Sequence, residues 1–444
     1  MKKLNHLSSS NFLKLLFLLL TLAFFLAALI MPDRATMFDG LKQIATAPVK
    51  IGTNLFSNGG YAGTFLNAAM VCMICSLLFF LPQATANAAS VIAVLLTAGF
   101  AFWGINIINI WFGIPGVLLY CLIKKEAPGK QVNAMIFTTG LAPLISDLLL
   151  RYPHADPVGF RWQGILLALA VGLFIGFCLP AGLTHSPNIH KGYSIYSAAM
   201  PIGILAFFLR GILYQVLGGN LSDLKVLTDA GVSSANVANA FCGAAFALCV
   251  VVAFLMGCRP KDYWELMKDS GPGADYVSKY GNATFLMNVG VFGLFILAYY
   301  NIIGATFNAI TLGCIFCMLS TCCSGSHPRN VLPIILGYVI ASFVCQWLFL
   351  GSGEYAQAIN AQSIVIGLCF ANGLSPIAGK YGWFFGIPAG ILHFLLVTSV
   401  PLLHGGFCLY NGGFTACFVC ILFVPMLERF FRTKEERLAA KVAK

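Results

Sequence analysis

Charge is the scarcest property of this chain. Of 444 residues only 9% are Asp, Glu, Lys or Arg, and the acidic ones number 15. Soluble domains carry about 25% charged residues, so an ordinary water-exposed globule is excluded. Familiar enzyme motifs are missing as well. No Gly-x-x-x-x-Gly-Lys-Ser/Thr loop is present to cradle phosphates, which argues against ATP-driven transport by this chain alone. No His-Glu-x-x-His is present to hold a catalytic zinc, and Gly351-Ser352-Gly353 reads as a turn without nucleophile-elbow spacing. His185, His190 and Lys191 share a loop that has no matching acidic motif. The expectation is a protein that is not an enzyme and has no cofactor and no metal centre.

What is abundant is apolar surface. The chain is 59% hydrophobic and 13% aromatic, with a mean hydropathy of +0.86. Stretches of about 20 residues, enough to cross a hydrocarbon core, follow one another from residue 11 to residue 431. The expected fold class is all-α: a polytopic transmembrane helical bundle of about 14 segments. Hydropathy breaks place them near 11–31, 62–81, 88–105, 108–123, 131–150, 161–182 and 194–217, then near 235–257, 283–302, 304–321, 330–350, 361–378, 383–401 and 407–431. The first is longer than a secretory apolar region and reads as a retained helix. The 16 cysteines lie almost entirely inside apolar segments and include the pairs Cys72/Cys75, Cys314/Cys317 and Cys417/Cys420. They read as small packing residues, not metal ligands or disulfides.

The segments repeat. Thr64-Phe65-Leu66 recurs as Thr284-Phe285-Leu286, and Gly104, Asn109 and Gly116 recur as Gly325, Asn330 and Gly337. Gly140-Leu141-Ala142-Pro143 recurs as Gly373-Leu374-Ser375-Pro376, and His190, Tyr193 and Tyr196 as His404, Phe407 and Tyr410. We divide the chain into a first repeat at 1–218, a connection at 219–234, a second repeat at 235–431 and a basic tail at 432–444. About seven crossings per half, an odd number, would invert one half relative to the other. A short helical pattern near Met37-Phe38-Leu41-Ile44, and its equivalent near Tyr263-Trp264-Leu266-Met267, fits either an interfacial helix or an ordered packing loop.

The net charge of +11 is distributed as a membrane protein requires. With the N-terminus cytoplasmic, only Arg34, Lys42, Lys50, Arg151, Arg161 and Lys225 of the 26 basic residues face outward, and Arg210 lies within a segment. The other nineteen, including Arg429, Arg432, Lys434, Arg437, Lys441 and Lys444 of the tail, fall inside. A multi-pass protein of the bacterial inner membrane with both termini cytoplasmic is expected, and nucleic acid is not an expected partner.

The Gly63-Thr64-Phe65-Leu66-Asn67 stretch, the Gly104–Gly116 stretch and the two Gly-Leu-Ala/Ser-Pro elements are together similar to a family of bacterial polytopic membrane proteins with a duplicated domain of unknown function. The resemblance covers nearly the whole chain. It implies membrane location and duplication, and it supplies no catalytic or binding residues.

Candidate site residues come from paired interruptions. Proline kinks or ends a helix, and irregular backbone at membrane depth survives only against protein or a water-filled cavity. Thr139, Gly140, Pro143 and Ser146 in one half, and Asn372, Gly373, Ser375 and Pro376 in the other, are therefore candidate substrate contacts. Asn106 and Asn109, matched by His327 and Asn330, form a second pair, and Asp147 is a rare intramembrane carboxylate that could pair with Arg151. Packing kinks, helix caps and helix-end ion pairs are the plainer readings of the same residues.

These features point to a secondary transporter of a small organic solute, with the lipid bilayer as partner and a proton or sodium as coupling ion. A homo-oligomer is compatible with this. The alternatives are a passive channel for a small polar solute and a membrane-embedded enzyme acting on a lipid or lipid-linked sugar.

Overall fold

The computed structural model describes residues 2–221, 234–348 and 357–443. Lys225, most of the 219–234 connection, Gly351-Ser352-Gly353 and Lys444 lie outside the described residues. The described chain is an all-α polytopic bundle with no strand. Ten of its helices are long and apolar enough to cross a membrane, five in each half, and each half adds two shorter apolar helices.

The first half comprises α1 (Ser9–Ile30), α2 (Met37–Thr46), α3 (Leu55–Leu78), α4 (Ala88–Phe100), α5 (Ile114–Lys124), α6 (Val132–Phe137), α7 (Ala142–Leu150), α8 (Trp162–His190) and α9 (Ala199–Arg210). The second comprises α10 (Ala235–Met256), α11 (Pro260–Leu266), α12 (Tyr276–Ile302), α13 (Ala309–Leu319), α14 (Pro328–Leu348), α15 (Gln362–Ala371), α16 (Ser375–Tyr381), α17 (Trp383–Val397), α18 (Asn411–Phe430) and the tail helix α19 (Lys434–Val442).

Local chemistry repeats with the fold. Asn87 caps α4 in a capping box with Ser90, and Asn308 caps α13 by accepting from Thr311 N–H. Both α3 and α12 are interrupted near their starts by a glycine outside helical space, Gly60 at φ +68° and Gly281 at φ +82°. A side chain at either φ would be strained, so glycine is required there. After the first interruption, the Asp33 carboxylate receives the freed N–H groups of Tyr61 and Ala62 at 2.8 and 3.1 Å. The two short helical patterns expected from sequence are α2 and α11; α2 buries Leu41 and Ile44 and exposes Phe38, while α11 buries Leu266 and exposes Trp264.

At the centre of the bundle α13 is buried along its whole length and α4 at every position but Ala89 and Leu95. A Cβ on Gly99 would stand 2.5 Å from the Gly313 carbonyl oxygen, and one on Gly313 would stand 2.3 Å from that of Gly99. Contact this close requires glycine on both helices. Cys317 Sγ lies 4.0 Å from the Leu96 carbonyl, and Ser324 Oγ donates to the Ala88 carbonyl at 3.2 Å. As numbers fall along α4 they rise along α13, so these equivalent helices run antiparallel.

Candidate functional site

Around that crossing lie the two interrupted spans, 128–150 and 362–381, the most deeply buried of the ten. In each, a short 3₁₀ turn precedes the proline: Thr138–Leu141 before Pro143, and Asn372–Leu374 before Pro376. Proline sits in the first turn of the next helix, where no intrahelical donor is required of it. The groups freed at each interruption are met by the opposite half. Ile195 N–H donates to the Gly373 carbonyl at 3.0 Å, and Leu409 N–H donates to the Gly140 carbonyl at 3.0 Å. Each half thus lends the stretch before its last long helix to the other half's break.

Most of the residues singled out from sequence are held by protein partners. Asn106 Oδ1 accepts from Ile108 and Asn109 N–H at 3.0 and 2.9 Å, and its Nδ2 donates to the Ile44 carbonyl at 3.1 Å. Asn109 Oδ1 accepts from Asn106 N–H at 2.9 Å, while Nδ2 reaches the Gly104 carbonyl at 3.2 Å and Ser146 Oγ at 2.9 Å. Thr139 Oγ1 donates to the Ile136 carbonyl at 2.7 Å. Asn372 Nδ2 spans the Met318 carbonyl at 2.6 Å and Thr321 Oγ1 at 2.7 Å. Ser375 Oγ lies 3.0 Å from Ser326 Oγ. These amides and hydroxyls stitch helices together, as buried polar groups in an apolar interior must. Asn67 and Asn288 do the same, each donating to two carbonyls: Ala101 and Ile105, and Cys322 and Ser326.

Asp147 pairs with Arg151, one turn on, through Nε–Oδ1 at 2.6 Å and Nη2–Oδ2 at 2.8 Å, and Tyr214 donates its hydroxyl to the same carboxylate. Arg151 also donates to the His154 and Asn220 carbonyls at 2.6 Å each. A carboxylate so occupied ties the end of α7 to the chain that follows α9. His393, inside α17, is likewise engaged on both nitrogens, by Tyr338 at 2.5 Å and the Gly412 carbonyl at 2.8 Å.

His327 differs. Its backbone N–H donates to Asn330 Oδ1 at 3.0 Å and its Nε2 donates to the Asp269 carbonyl at 3.2 Å, while Nδ1 is buried without a partner. Asn330 Nδ2 donates to the Gly325 carbonyl at 2.7 Å. Both residues line a cleft of about 300 Å³ with Lys268, Arg329, Gly379 and Lys434. Burial, with a lesser contribution from Arg329 and Lys434, holds the His327 imidazole down to about 4.

Among the buried donors left without a partner, two lie beside the central crossing and carry no sequence motif. Trp103 Nε1 and the Tyr410 hydroxyl are buried with no hydrogen-bond partner, and both rings stand 5.2 Å from Phe100 beside the α4–α13 crossing. The only sequence signal was the recurrence of Tyr196 as Tyr410. Yet the Tyr196 hydroxyl is satisfied, within 2.9 Å of the Cys317 carbonyl and of Asn372 Oδ1.

Comparison with known proteins fits this duplicated architecture. The family model described as "Protein of unknown function (DUF1576)" matches residues 33–215 and again 259–429. The chain belongs to this family. The two DUF1576 matches fall one in each half; they leave out the first long helix of each, α1 and α10, as well as the 219–234 connection and the basic tail after Arg429. No curated protein and no solved structure matches the chain.

Proposed function

We propose that this DUF1576 protein transports a small organic solute by alternating access between two repeats of inverted topology. The observation that carries this reading is the antiparallel crossing of the equivalent helices α4 and α13, flanked by an interrupted span from each half. Repeats that oppose one another in this way have two equivalent arrangements, and their exchange would open a central site to each face in turn. Trp103 Nε1 and the Tyr410 hydroxyl would donate to an acceptor oxygen on the solute, since a buried donor is costly until it is paired. The basic bias of the loops and tail supports cytoplasmic termini in a bacterial inner membrane. Coupling to a proton or sodium gradient and assembly as a homo-oligomer belong to the same proposal.

The test begins with thermal unfolding of the purified protein against a metabolite library, with and without sodium. A solute at about 100 times its dissociation constant adds roughly 2.7 kcal/mol of stability. Liposomes preloaded with the unlabelled hit should then accumulate the labelled solute by counterflow. Equilibration without counterflow would convert the reading to a passive channel. Stabilisation by lipid-linked sugars alone would point to a membrane enzyme.

A further inference from the structure

The duplicated halves provide an internal control for the cleft beside His327. In the first half, Asn106 stands at the position of His327 and Ile108 at that of Arg329, while Ser146 stands at that of Gly379. There the site is closed: Asn106 Nδ2 is bonded to the Ile44 carbonyl, and Ser146 fills the space beside Asn109 with a 2.9 Å hydrogen bond. In the second half the serine is gone, because a Cβ on Gly379 would stand 1.8 Å from the Ser270 carbonyl oxygen. The Ser270 carbonyl takes that space, and beside it lies a cleft where His327 and Arg329, standing in place of Asn106 and Ile108, make the lining basic and hydrogen-bonding.

The charges around it are unequally used. Lys268 pairs with Glu265 at 2.7 Å. The Asp269 carboxylate is neutralised, receiving Gly271 N–H at 2.8 Å, Lys279 Nζ at 2.5 Å and the Tyr280 hydroxyl at 2.8 Å. Arg329 and Lys434 are exposed, and neither takes part in an ion pair among the described residues. Arg329 stacks over Trp264 at 5.6 Å, which orients the guanidinium without neutralising it. His327, only 1% exposed, closes the inner end and offers an unpartnered Nδ1, with the Tyr276 ring stacked 6.4 Å away.

We propose that this cleft binds a phosphate or phosphate monoester, with Arg329 and Lys434 holding its oxygens and His327 Nδ1 accepting its remaining O–H. Because Nε2 already donates to a carbonyl, Nδ1 of the neutral ring carries a lone pair. A ligand must therefore present anionic oxygens outward and a hydroxyl inward. A phosphate monoester, whose second ionisation lies near 6, retains that proton on part of its population at neutral pH. Sulfate presents acceptors only and would set an oxygen against the lone pair. A phosphate diester has the same deficit. The cleft would bind this ligand whether or not the chain transports a solute, so failure of one reading leaves the other standing.

The test is calorimetric titration of the full-length protein in detergent with inorganic phosphate and, separately, with sulfate at matched ionic strength. Phosphate should bind at least about tenfold more tightly than sulfate, the ratio for one well-placed hydrogen bond. R329I, which installs the first-half residue at an exposed position, should weaken phosphate about tenfold, and K434Q serves as the second variant if R329I fails to fold. H327N should abolish the preference for phosphate over sulfate. Nanodisc arms identify the source of the phosphate: binding of phosphatidic acid but not free phosphate assigns a lipid headgroup, and the reverse assigns a soluble ligand. Equal binding of sulfate and phosphate, affinities unmoved by both R329I and K434Q, or no binding of either phosphate source would overturn the proposal.

Discussion

Tyr196 lies against Gly373 and Tyr410 lies against Gly140, so that each tyrosine covers the broken span of the opposite half. A Cβ on Gly373 would stand 2.4 Å from Tyr196 Cδ2, and one on Gly140 would stand 2.5 Å from Tyr410 Cδ2. The reciprocal docking packs each half against the other at its break. The two hydroxyls nevertheless have different fates, one bonded and one unpaired.

That difference sets the first prediction. Y196F removes a hydroxyl that bridges α13 and the Asn372 turn and should cost about 1–2 kcal/mol of stability. Y410F removes an unpaired hydroxyl and should leave the unfolding temperature unchanged or raised. If Y410F also lowers the affinity of a transported solute, the hydroxyl faces that solute. Thermal unfolding in detergent decides the ranking, and a larger loss for Y410F would contradict it.

The central crossing is sensitive to a single methyl group. G313A would press Cβ against the Gly99 carbonyl at 2.3 Å, whereas a Cβ at Gly243 has its nearest neighbour, Leu297 Cδ2, at 3.8 Å. G313A should therefore cost about 1–3 kcal/mol and G243A almost nothing. Comparable melting of the two variants would mean that the helices do not meet as described.

Asp147 and Arg151 form a buried ion pair, 1% and 3% exposed. D147N leaves the guanidinium facing an uncharged amide in an apolar interior, and removal of one partner of such a pair costs about 3–5 kcal/mol. The expected readout is severely reduced yield and melting temperature. Near-native stability would place the pair in contact with water.

The pH dependence of stability should report on His327. Its imidazole is held at about 4 against an ordinary 6.5, chiefly by burial. The unfolded chain therefore takes up the proton first as pH falls. The stabilisation is complete above about 6.5 and is lost progressively down to about 4, with an upper bound of about 3.5 kcal/mol at 1.4 kcal/mol per unit. H327N should lack this component, so its unfolding temperature relative to the original chain should rise across that window. Parallel profiles for the two proteins would refute the assignment.

The sequence by itself determined the class of molecule. A transmembrane helix must satisfy its backbone within its own segment, so length and hydropathy suffice to locate the apolar spans. Duplication was equally legible, because Gly104–Asn109–Gly116 and Gly325–Asn330–Gly337 preserve local geometry, and the two prolines marked breaks that are present in both halves. What a buried polar group bonds to is set by chain brought from elsewhere, and spacing carries no record of that. Only the tertiary structure decided that Asn109 meets Ser146, that Asp147 is held by both Arg151 and Tyr214, and that Tyr196 and Tyr410 cross between halves. It likewise separated His327 from Asn106. The two occupy equivalent positions, but His327 lines a cleft and keeps one nitrogen unpaired, whereas the Asn106 amide is bonded through both its oxygen and its nitrogen.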